Sequence, residues 1–257
     1  MLVENEMDLD EAIEIICHPR YSEHRTECLE RINILMNLGV VKIYSFGDSL
    51  LGRFRVVGKG HASIVVLARH RIYGDVAVKI RRFDSKRTSL ETEGEFLRKA
   101  AVTGYTPVVY EYTRDFIVRE FIEGPKLIDF LTMNIGSREV IKKVIRALIH
   151  SSYNLDNIFI EIQEISRPDK QIIVRRNDPE KIYYIDLESA RISNKSSNLT
   201  KIINYILRRD IKGVRIKDLL NIDPGEESIL RDLARIYKKD LVNRKYILDK
   251  ILEIMNL

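Results

Sequence analysis

The segment "VVGKGHASIVVLA", residues 56 to 68, places two glycines between two apolar runs. A glycine loop that binds a dinucleotide is followed by a helix, whose N-terminus faces the pyrophosphate. Here "SIVVLARHRIYGDVAVKI" follows, and its alternating apolar residues with a turn at Tyr73-Gly74-Asp75 predict a β-hairpin. A P-loop is also excluded, because no Gly-Lys-Ser/Thr opens a helix. The loop is therefore either a phosphate-binding loop between strands or an ordinary hairpin turn.

The strand "DVAVKI" carries a lysine near its end. It matches the Val-Ala-Ile-Lys strand of protein kinases, which makes Lys79 the candidate ligand of the α- and β-phosphates. A helix is predicted in "KRTSLETEGEFLRKAAVTG", where Glu93 lies on the apolar stripe while Glu91 and Glu95 lie on the solvated face. A buried carboxylate is costly unless it is paired. We therefore predict the ion pair Lys79–Glu93.

The composition indicates a soluble globular protein. Of the 257 residues, 45% are hydrophobic and 32% are charged. No apolar run approaches the ~20 residues that cross a bilayer, and the acidic start "MLVENEMDLDEA" lacks the parts of a signal peptide, so we expect no membrane partner and a cytoplasmic location. Cys17 and Cys28 have no metal-site spacing, so reduced thiols are expected. The net charge of +5 permits a nucleotide or a nucleic acid, although no nucleic-acid-binding motif is present.

Secondary-structure signals divide the chain into three regions. Residues 1–39 predict a helical N-terminal extension, with Asp8 as the cap of its first helix. Residues 40–122 are rich in strands and form the predicted nucleotide-binding lobe. Residues 123–257 predict a helical lobe with one hairpin inside it. This segregation of strands and helices predicts an α+β fold.

A second hairpin is predicted in "QIIVRRNDPEKIYYIDLESA", and Asp186 follows its second strand directly. This position matches the metal-binding Asp of the kinase Asp-Phe-Gly motif. Leu187 and Glu188 replace the Phe and the Gly, but metal binding requires only the carboxylate. Asp186 is therefore the predicted metal ligand.

The catalytic loop before this hairpin has two possible frames. One uses "HSSYNLDN", with His150 and Asn157 in matching positions and Ser152 in the place of the catalytic Asp. The other uses "IQEISRPDK", with Glu164 in the place of that Asp and Asp169 in the place of the metal-binding Asn. The apolar stripe of the preceding helix extends to the neighbourhood of His150, which predicts that this histidine is helical. We therefore choose Glu164 and Asp169.

In their order along the chain, "GKGHASIVVLA", "VAVKIRRFD", "LETEGEFLRKA" and "FIVREFIEG" resemble the archaeal predicted serine/threonine protein kinases, which lie near the RIO-type and other small atypical kinases. The resemblance covers roughly residues 30 to 205. It implies a two-lobed protein-kinase-like fold with a helical N-terminal extension and a trimmed helical C-lobe, and it implies binding of ATP and Mg²⁺ or Mn²⁺. The segment "LDNIFIEIQEISRPDKQIIV" also resembles the family's catalytic segment, where the ordinary Asp is commonly not retained.

The resemblance also implies a role for each site residue. Lys79, Glu93 and Glu164 are the implied catalytic residues, with Glu164 accepting the hydroxyl proton, and Asp169 and Asp186 are the implied metal ligands. The implied nucleotide ligands, with the backbone of the last two residues holding the adenine, are Gly58, Lys59, Gly60, His61, Ala62, Ser63, Ala77, Lys79, Glu120 and Ile122.

Three functions are compatible with these residues. The first is an active atypical serine/threonine kinase or ATPase, which transfers or hydrolyses the γ-phosphate of ATP. The second is a nucleotide-binding pseudokinase that acts as a switch or scaffold. The third is a basic nucleic-acid-binding adaptor that uses the fold structurally. Lys79, Glu93 and Asp186 favour the first two functions, and the altered loop "IQEISRP" separates them only weakly. No protein substrate is indicated.

Overall fold

The computed structural model describes residues 6–19 and 22–257 of the chain. The chain forms two compact units. The sheet unit comprises the residues up to Arg98 together with Pro107–Phe121, and the helical unit comprises Lys99–Thr106 together with Ile122–Leu257. Helices and antiparallel strands are both abundant, so the predicted α+β class is confirmed.

One main antiparallel sheet forms the centre of the sheet unit. The strands of this unit are β1 (Glu6–Asp8), β2 (Val40–Tyr44), β3 (Ser49–Leu51), β4 (Phe54–Val56), β5 (Gly58–Lys59), β6 (Ser63–His70), β7 (Gly74–Arg81), β8 (Val109–Tyr112) and β9 (Phe116–Glu120). The main sheet has the order β1-β2-β6-β7-β9-β8, with β5 paired to β6, while β3 and β4 form a separate hairpin. The predicted hairpin is the pair β6–β7, in which Ser63 lies opposite Arg81 and His70 lies opposite Gly74.

The N-terminal extension differs from its prediction. Its described part contains β1, α1 (Ile13–Ile16) and α2 (Arg25–Asn37). Asp8 was expected to cap a helix, but it lies in β1 opposite Lys42 of β2. A segment of three residues is too short to show a strand period, and its pairing partner decides its conformation. The predicted extension also includes residues 1–5 and 20–21, which lie outside the described residues.

The extension shares its core with the main sheet. Buried side chains of α1 and α2 belong to one hydrophobic cluster with side chains of β2, β6, β7 and β9. Cys17 follows α1, Cys28 lies in α2, and the two residues form a disulfide with their Cα atoms 5.8 Å apart. The prediction of reduced thiols is therefore wrong. The packing of α1 against α2 brings the two cysteines within disulfide range, and sequence spacing does not show such packing.

The helical unit contains mostly helices and the one predicted hairpin, but its described residues also form two further strand pairs that were not predicted. Its helices are α4 (Leu127–Met133), α5 (Arg138–Asn157), α6 (Asn198–Arg208), α7 (Ile216–Leu219), α8 (Pro224–Lys239) and α9 (Arg244–Ile254). Its short strands form three antiparallel pairs: β10 (Ile160–Ile162) with β13 (Ala190–Ile192), β11 (Ile172–Val174) with β12 (Ile182–Tyr184), and β14 (Asp210–Ile211) with β15 (Val214–Arg215). Within residues 6–19 and 22–257, no helix combines the length and the apolar character needed to span a bilayer.

A buried carboxylate connects α5 to α6. Asp156, near the end of α5, accepts hydrogen bonds from the backbone N–H groups of Asn198 at 2.8 Å and Leu199 at 3.1 Å, which lie at the start of α6. The hydroxyls of Ser196 and Tyr237 donate to the same carboxylate. A carboxylate at a helix N-terminus satisfies N–H groups that otherwise lack a partner. Asp156 therefore fixes the start of α6 relative to α5.

Candidate functional site

The predicted glycine loop joins β5 to β6. Gly58 pairs with Val65 across the two strands, and Gly60 N–H donates to the carbonyl of Ser63 at 2.8 Å. The backbone does not demand glycine at either position, because neither Gly58 nor Gly60 has a positive φ. An added Cβ would lie 3.9 Å from Val65 at Gly58 and 3.4 Å from the Ser63 carbonyl at Gly60. The two glycines therefore leave room that the fold itself does not use, and a ligand can approach the backbone there.

The side chains of the loop are placed differently from one another. Lys59 and His61 are exposed, whereas Ser63 is buried in β6. Arg82 contacts the loop from the end of β7: its Nη1 donates to the Gly60 carbonyl at 3.0 Å and its backbone N–H donates to the Ala62 carbonyl at 3.0 Å. Sequence reasoning missed Arg82, since nothing in "KIRRFD" distinguishes it from a solvated arginine.

The predicted ion pair Lys79–Glu93 is present. Lys79 lies in β7 between Val65 of β6 and Ile117 of β9. Its Nζ donates to Oε1 of Glu93 at 2.6 Å and to Oε2 at 2.8 Å. Lys79 is 4% exposed and Glu93 is 1% exposed. Arg87 Nη1 also contacts Glu93 Oε2 at 3.3 Å, a second cation that the sequence did not reveal. The carboxylate therefore has two cationic partners in a buried setting.

The helix α3 (Glu91–Ala100) places Glu93 through its close approach to β8. An added Cβ at Gly94 would lie 2.5 Å from the ring of Tyr112 in β8, so only glycine permits this contact. Glu91 and Glu95 are exposed, as the predicted helix phase requires. The sequence does indicate that α3 packs closely on a neighbour, because an isolated glycine such as Gly94 inside a helical pattern often has a packing reason.

Three further residues were predicted to bind the nucleotide, the last two of them through backbone contacts with the adenine. Ala77 is buried in β7 opposite Leu67 of β6. Glu120 ends β9, and its backbone N–H donates to the Val108 carbonyl at 2.8 Å. Ile122 is buried and begins the second segment of the helical unit. Their contact with the nucleotide stays a prediction.

In the helical unit, the predicted hairpin β11–β12 carries Asp186 just after its second strand. Oδ1 of Asp186 accepts a hydrogen bond from the backbone N–H of Glu188 at 3.0 Å. On the neighbouring strand the backbone carbonyl of Gln171 accepts from Ile185 N–H at 2.9 Å. Because the strands are antiparallel, the residues before β11 and after β12 lie at the same end of the hairpin. Gln171 and Asp186 share that end.

Asp169 lies in the short helical turn Pro168–Lys170 just before β11. Oδ1 of Asp169 accepts from the Tyr205 hydroxyl at 2.7 Å, and Oδ2 pairs with Nη2 of Arg209 at 2.9 Å. Burial and the hydrogen bond to Asp169 raise the pKa of the Tyr205 hydroxyl. Both carboxylate oxygens of Asp169 thus have partners from α6 and the residue after it.

Glu164 is exposed in the segment between β10 and the turn that contains Asp169. Its backbone N–H donates to Ser189 Oγ at 3.2 Å, and its Oε2 accepts from Nε2 of Gln171 at 3.3 Å. Oε1 of Gln171 is buried and has no hydrogen-bond partner among the described residues. Sequence reasoning missed Gln171. Gln171 could have been proposed as a site residue because it lies directly before a strand and next to the predicted catalytic loop.

The prediction that His150 lies in a helix is confirmed, which argues against the alternative catalytic frame. His150, Ser152 and Asn157 all lie within α5, so they form no loop. Ser152 is fully buried, and its Oγ donates to the Leu148 carbonyl at 2.8 Å. Burial, followed by the nearby charges of Arg146 and Lys245, lowers the pKa of His150. This histidine therefore belongs to the packing of α5 near α9.

Comparison with models of protein families finds none that matches this chain, and comparison with curated proteins finds no match.

Proposed function

We propose that the chain is an atypical, kinase-like serine/threonine phosphotransferase that binds ATP and a divalent cation. The observation that carries the proposal is the buried pair between Lys79, in the strand β7 near the glycine loop, and Glu93 of α3. At two buried positions, apolar side chains of similar volume often stabilise the fold as well as an ion pair does, or better. An ion pair is better explained by a ligand, because Glu93 holds the lysine ammonium in position for phosphate oxygens.

The glycine loop also supports the proposal that the chain binds ATP. Its glycines at positions 58 and 60 are not required by the backbone conformation. Backbone N–H groups without a side chain in front of them suit phosphate oxygens. In this proposal the sheet unit is the nucleotide lobe of a kinase-like fold, and the helical unit is its catalytic lobe.

The donor set at the end of the β11–β12 hairpin suits Mg²⁺ or Mn²⁺. Asp186 offers a carboxylate, and Gln171 offers a buried amide oxygen that lacks a hydrogen-bond partner among the described residues. Hard divalent cations take oxygen ligands of this kind. When bound, the metal would neutralise charge on the β- and γ-phosphate oxygens. Asp186 is the residue we propose as its principal ligand.

Glu164 is the proposed acceptor of the proton from the substrate hydroxyl. In the transfer, the hydroxyl oxygen forms a bond to the γ-phosphorus, the bond from that phosphorus to the bridging oxygen breaks, and ADP leaves. Glu164 is exposed, and its Oε2 is held by Gln171 at 3.3 Å. A glutamate is one methylene longer than the usual aspartate, so its efficiency depends on exact placement.

One observation favours a second candidate, a nucleotide-binding pseudokinase without transfer. Both oxygens of Asp169 are engaged, by Tyr205 and by Arg209. If Asp169 has only this structural role, the residue predicted at the second metal position is not available. A protein of this kind would bind ATP as a switch or scaffold.

One experiment separates the candidates. The protein is incubated with γ-labelled ATP and Mg²⁺ or Mn²⁺, and phosphate transfer and release are measured together with the thermal shift that ATP causes. We expect transfer or release in the wild type, and loss of both activity and thermal shift in Lys79→Met. Lys42→Met is the matched control, because Lys42 is a lysine of the same sheet whose side chain is 40% exposed and paired with Glu6 at 2.8 Å.

A thermal shift without any transfer or release supports the pseudokinase. The absence of both, or an ATP-induced shift that is unchanged in Lys79→Met, rejects the proposal that Lys79 belongs to a nucleotide site.

A further inference from the structure

The segment Arg82–Asp84 connects the glycine loop to the N-terminal extension within the sheet unit. On the loop side, Arg82 donates to the Gly60 carbonyl from Nη1 and to the Ala62 carbonyl from its backbone N–H, each at 3.0 Å. The guanidinium is itself fixed by Asp84, to which Nε and Nη2 donate at 2.8 Å and 2.7 Å. A bidentate arginine–carboxylate pair of this kind is directional. Asp84 thus fixes the guanidinium of Arg82, and Arg82 in turn fixes the backbone of the glycine loop.

On the side of the extension, the next residue makes the contacts. The backbone N–H of Phe83 donates to the His18 carbonyl at 3.1 Å. The Phe83 ring stacks on His24, with ring centroids 5.0 Å apart and planes 9° apart. The guanidinium of Arg31 lies 4.3 Å from the centroid of the same ring. Three residues of the extension therefore determine where Phe83 lies.

The extension is well fixed at these contacts. Arg31 is 3% exposed, and its Nη1 donates to the Ile16 carbonyl at 2.7 Å. Its Nη2 contacts Asp115, which lies just before β9, at 3.1 Å. The disulfide Cys17–Cys28 joins the two helices of the extension. Consequently Phe83 contacts a segment that is tied to the core of the sheet unit.

We propose that Arg82 is a positioning residue for the glycine loop, and that the N-terminal extension sets the position of Arg82 through Phe83. The inference rests on the proposed function, since it gives the extension a role in presenting the loop to phosphate. Carbonyl and N–H of a trans peptide point in opposite directions. By holding the Gly60 carbonyl, Arg82 therefore fixes the direction of the following N–H, that of His61. The extension thus contributes to nucleotide binding without touching the nucleotide.

The test compares hydrogen exchange of a peptide covering residues 57–64 in the nucleotide-free protein, for the wild type, Arg82→Ala, Arg82→Lys and Phe83→Leu. A second peptide, covering β7, is the internal reference. A general loss of structure accelerates exchange in both peptides, so the ratio of their rates is the readout. Arg69→Ala is the matched control, because it removes an Arg–Asp pair of 3.1 Å, with Asp75, at the opposite end of the β6–β7 hairpin.

We expect the loop peptide to exchange about 10-fold faster, relative to β7, in Arg82→Ala and Phe83→Leu, since each variant removes a fixed contact of the loop or its support. Arg82→Lys should restore part of the protection, and Arg69→Ala should leave the ratio unchanged. The KM for ATP should rise about 10-fold in the first two variants with kcat nearly unchanged, because a loop held less often in its binding conformation weakens apparent affinity.

An unchanged ratio in Phe83→Leu overturns the role of the extension, and an unchanged ratio in Arg82→Ala overturns the whole inference. The exchange experiment uses no nucleotide, so its outcome does not depend on the proposed function. If the wild type neither binds nor turns over ATP, the proposed function fails even when the exchange ratios change as expected.

Discussion

The Tyr205 hydroxyl donates a hydrogen bond of 2.7 Å to Oδ1 of Asp169, and Arg209 pairs with Oδ2 of the same residue at 2.9 Å. Tyr205 lies in α6 and Arg209 follows it, so a helix 36 residues further along the chain determines how Asp169 is presented. Asp169 and Asp186 were both predicted to bind the metal, but both oxygens of Asp169 already have strong partners in the helical unit. We therefore expect Asp169 to contribute less to metal binding than Asp186.

We expect unequal effects when each of these carboxylates is changed to an amide. Asp186→Asn removes the charge of the principal metal ligand and should reduce turnover by ~10³-fold or more, whereas Asp169→Asn changes a carboxylate already engaged by Tyr205 and Arg209 and should cost ~10-fold. Turnover measured as a function of Mg²⁺ concentration checks this order. Equal losses in the two variants would show that Asp169 binds the metal as strongly as Asp186.

A second prediction separates stability from binding at the pair Lys79–Glu93. Lys79→Met removes the nearest cation from the buried Glu93 carboxylate, which keeps its longer contact with Arg87 at 3.3 Å, and should lower the free energy of unfolding by about 3 kcal/mol. The double variant Lys79→Met/Glu93→Leu removes the uncompensated charge and should recover most of this loss. Urea unfolding measures both effects. The ATP-induced thermal shift should be lost in both variants, and its return in the double variant would contradict a nucleotide role for the pair.

The sequence could predict those features of the pair Lys79–Glu93 that depend on local sequence patterns. A helix repeats every 3.6 residues, so Glu93 could be assigned to the apolar face of its helix, while Lys79 was predicted from the match of its strand to the Val-Ala-Ile-Lys strand. The hairpin before Asp186 was predictable because two short apolar runs flank an Asn-Asp-Pro turn. The helical state of His150 followed from the length of one apolar stripe.

The rest depends on tertiary packing and could not be read from local patterns. The partners of Asp169 come from α6, and the contact of Arg82 with the Gly60 carbonyl spans 22 positions. The disulfide requires α1 to pack on α2, and the strand conformation of Glu6–Asp8 exists only through its pairing with β2. In each case the decisive partner is distant in sequence.

The disulfide gives a third prediction. It closes a loop between residues 11 positions apart, and closing a loop of this size stabilises the folded state by about 3 kcal/mol. Cys17→Ala/Cys28→Ala should therefore lower the melting temperature by roughly 6–12 °C, and a reductant should lower that of the wild type but not that of the variant. Thiol titration of the denatured wild type without reductant should detect no free cysteine. Two reactive thiols would contradict the disulfide.

A fourth prediction concerns acid stability and the residue Glu227 of α8. Hydrogen bonds from Lys217 and Arg231, each at 2.5 Å, lower the pKa of Glu227 to about 2, compared with 4.5 for an unperturbed glutamate. Because the folded-state pKa is the lower one, the stabilisation is complete above the unfolded value and is lost as the pH falls from about 4.5 to about 2. Melting temperature should thus depend less on pH in this window in Glu227→Gln. Asp232→Asn, at an exposed Asp–Arg pair of the same helix, is the control.

The last prediction concerns Asp156, whose carboxylate takes two donors on each oxygen. Ser196 Oγ–H and Asn198 N–H donate to Oδ1, while Leu199 N–H and the Tyr237 hydroxyl donate to Oδ2. In Asp156→Asn, the amide NH₂ must face two donors, whichever way it is turned. Leaving buried donors unsatisfied costs about 1–3 kcal/mol each.

Asp156→Asn should therefore lower the free energy of unfolding by roughly 3 kcal/mol, as measured by urea denaturation. Tyr237→Phe removes only one of the four donors and should cost about 1 kcal/mol. The isosteric change at Asp156 must be the larger of the two if the carboxylate, and not the shape of its side chain, holds the start of α6 to α5. An Asp156→Asn variant as stable as the wild type would mean that the donors have other partners. Apolar packing alone would then determine the position of α6.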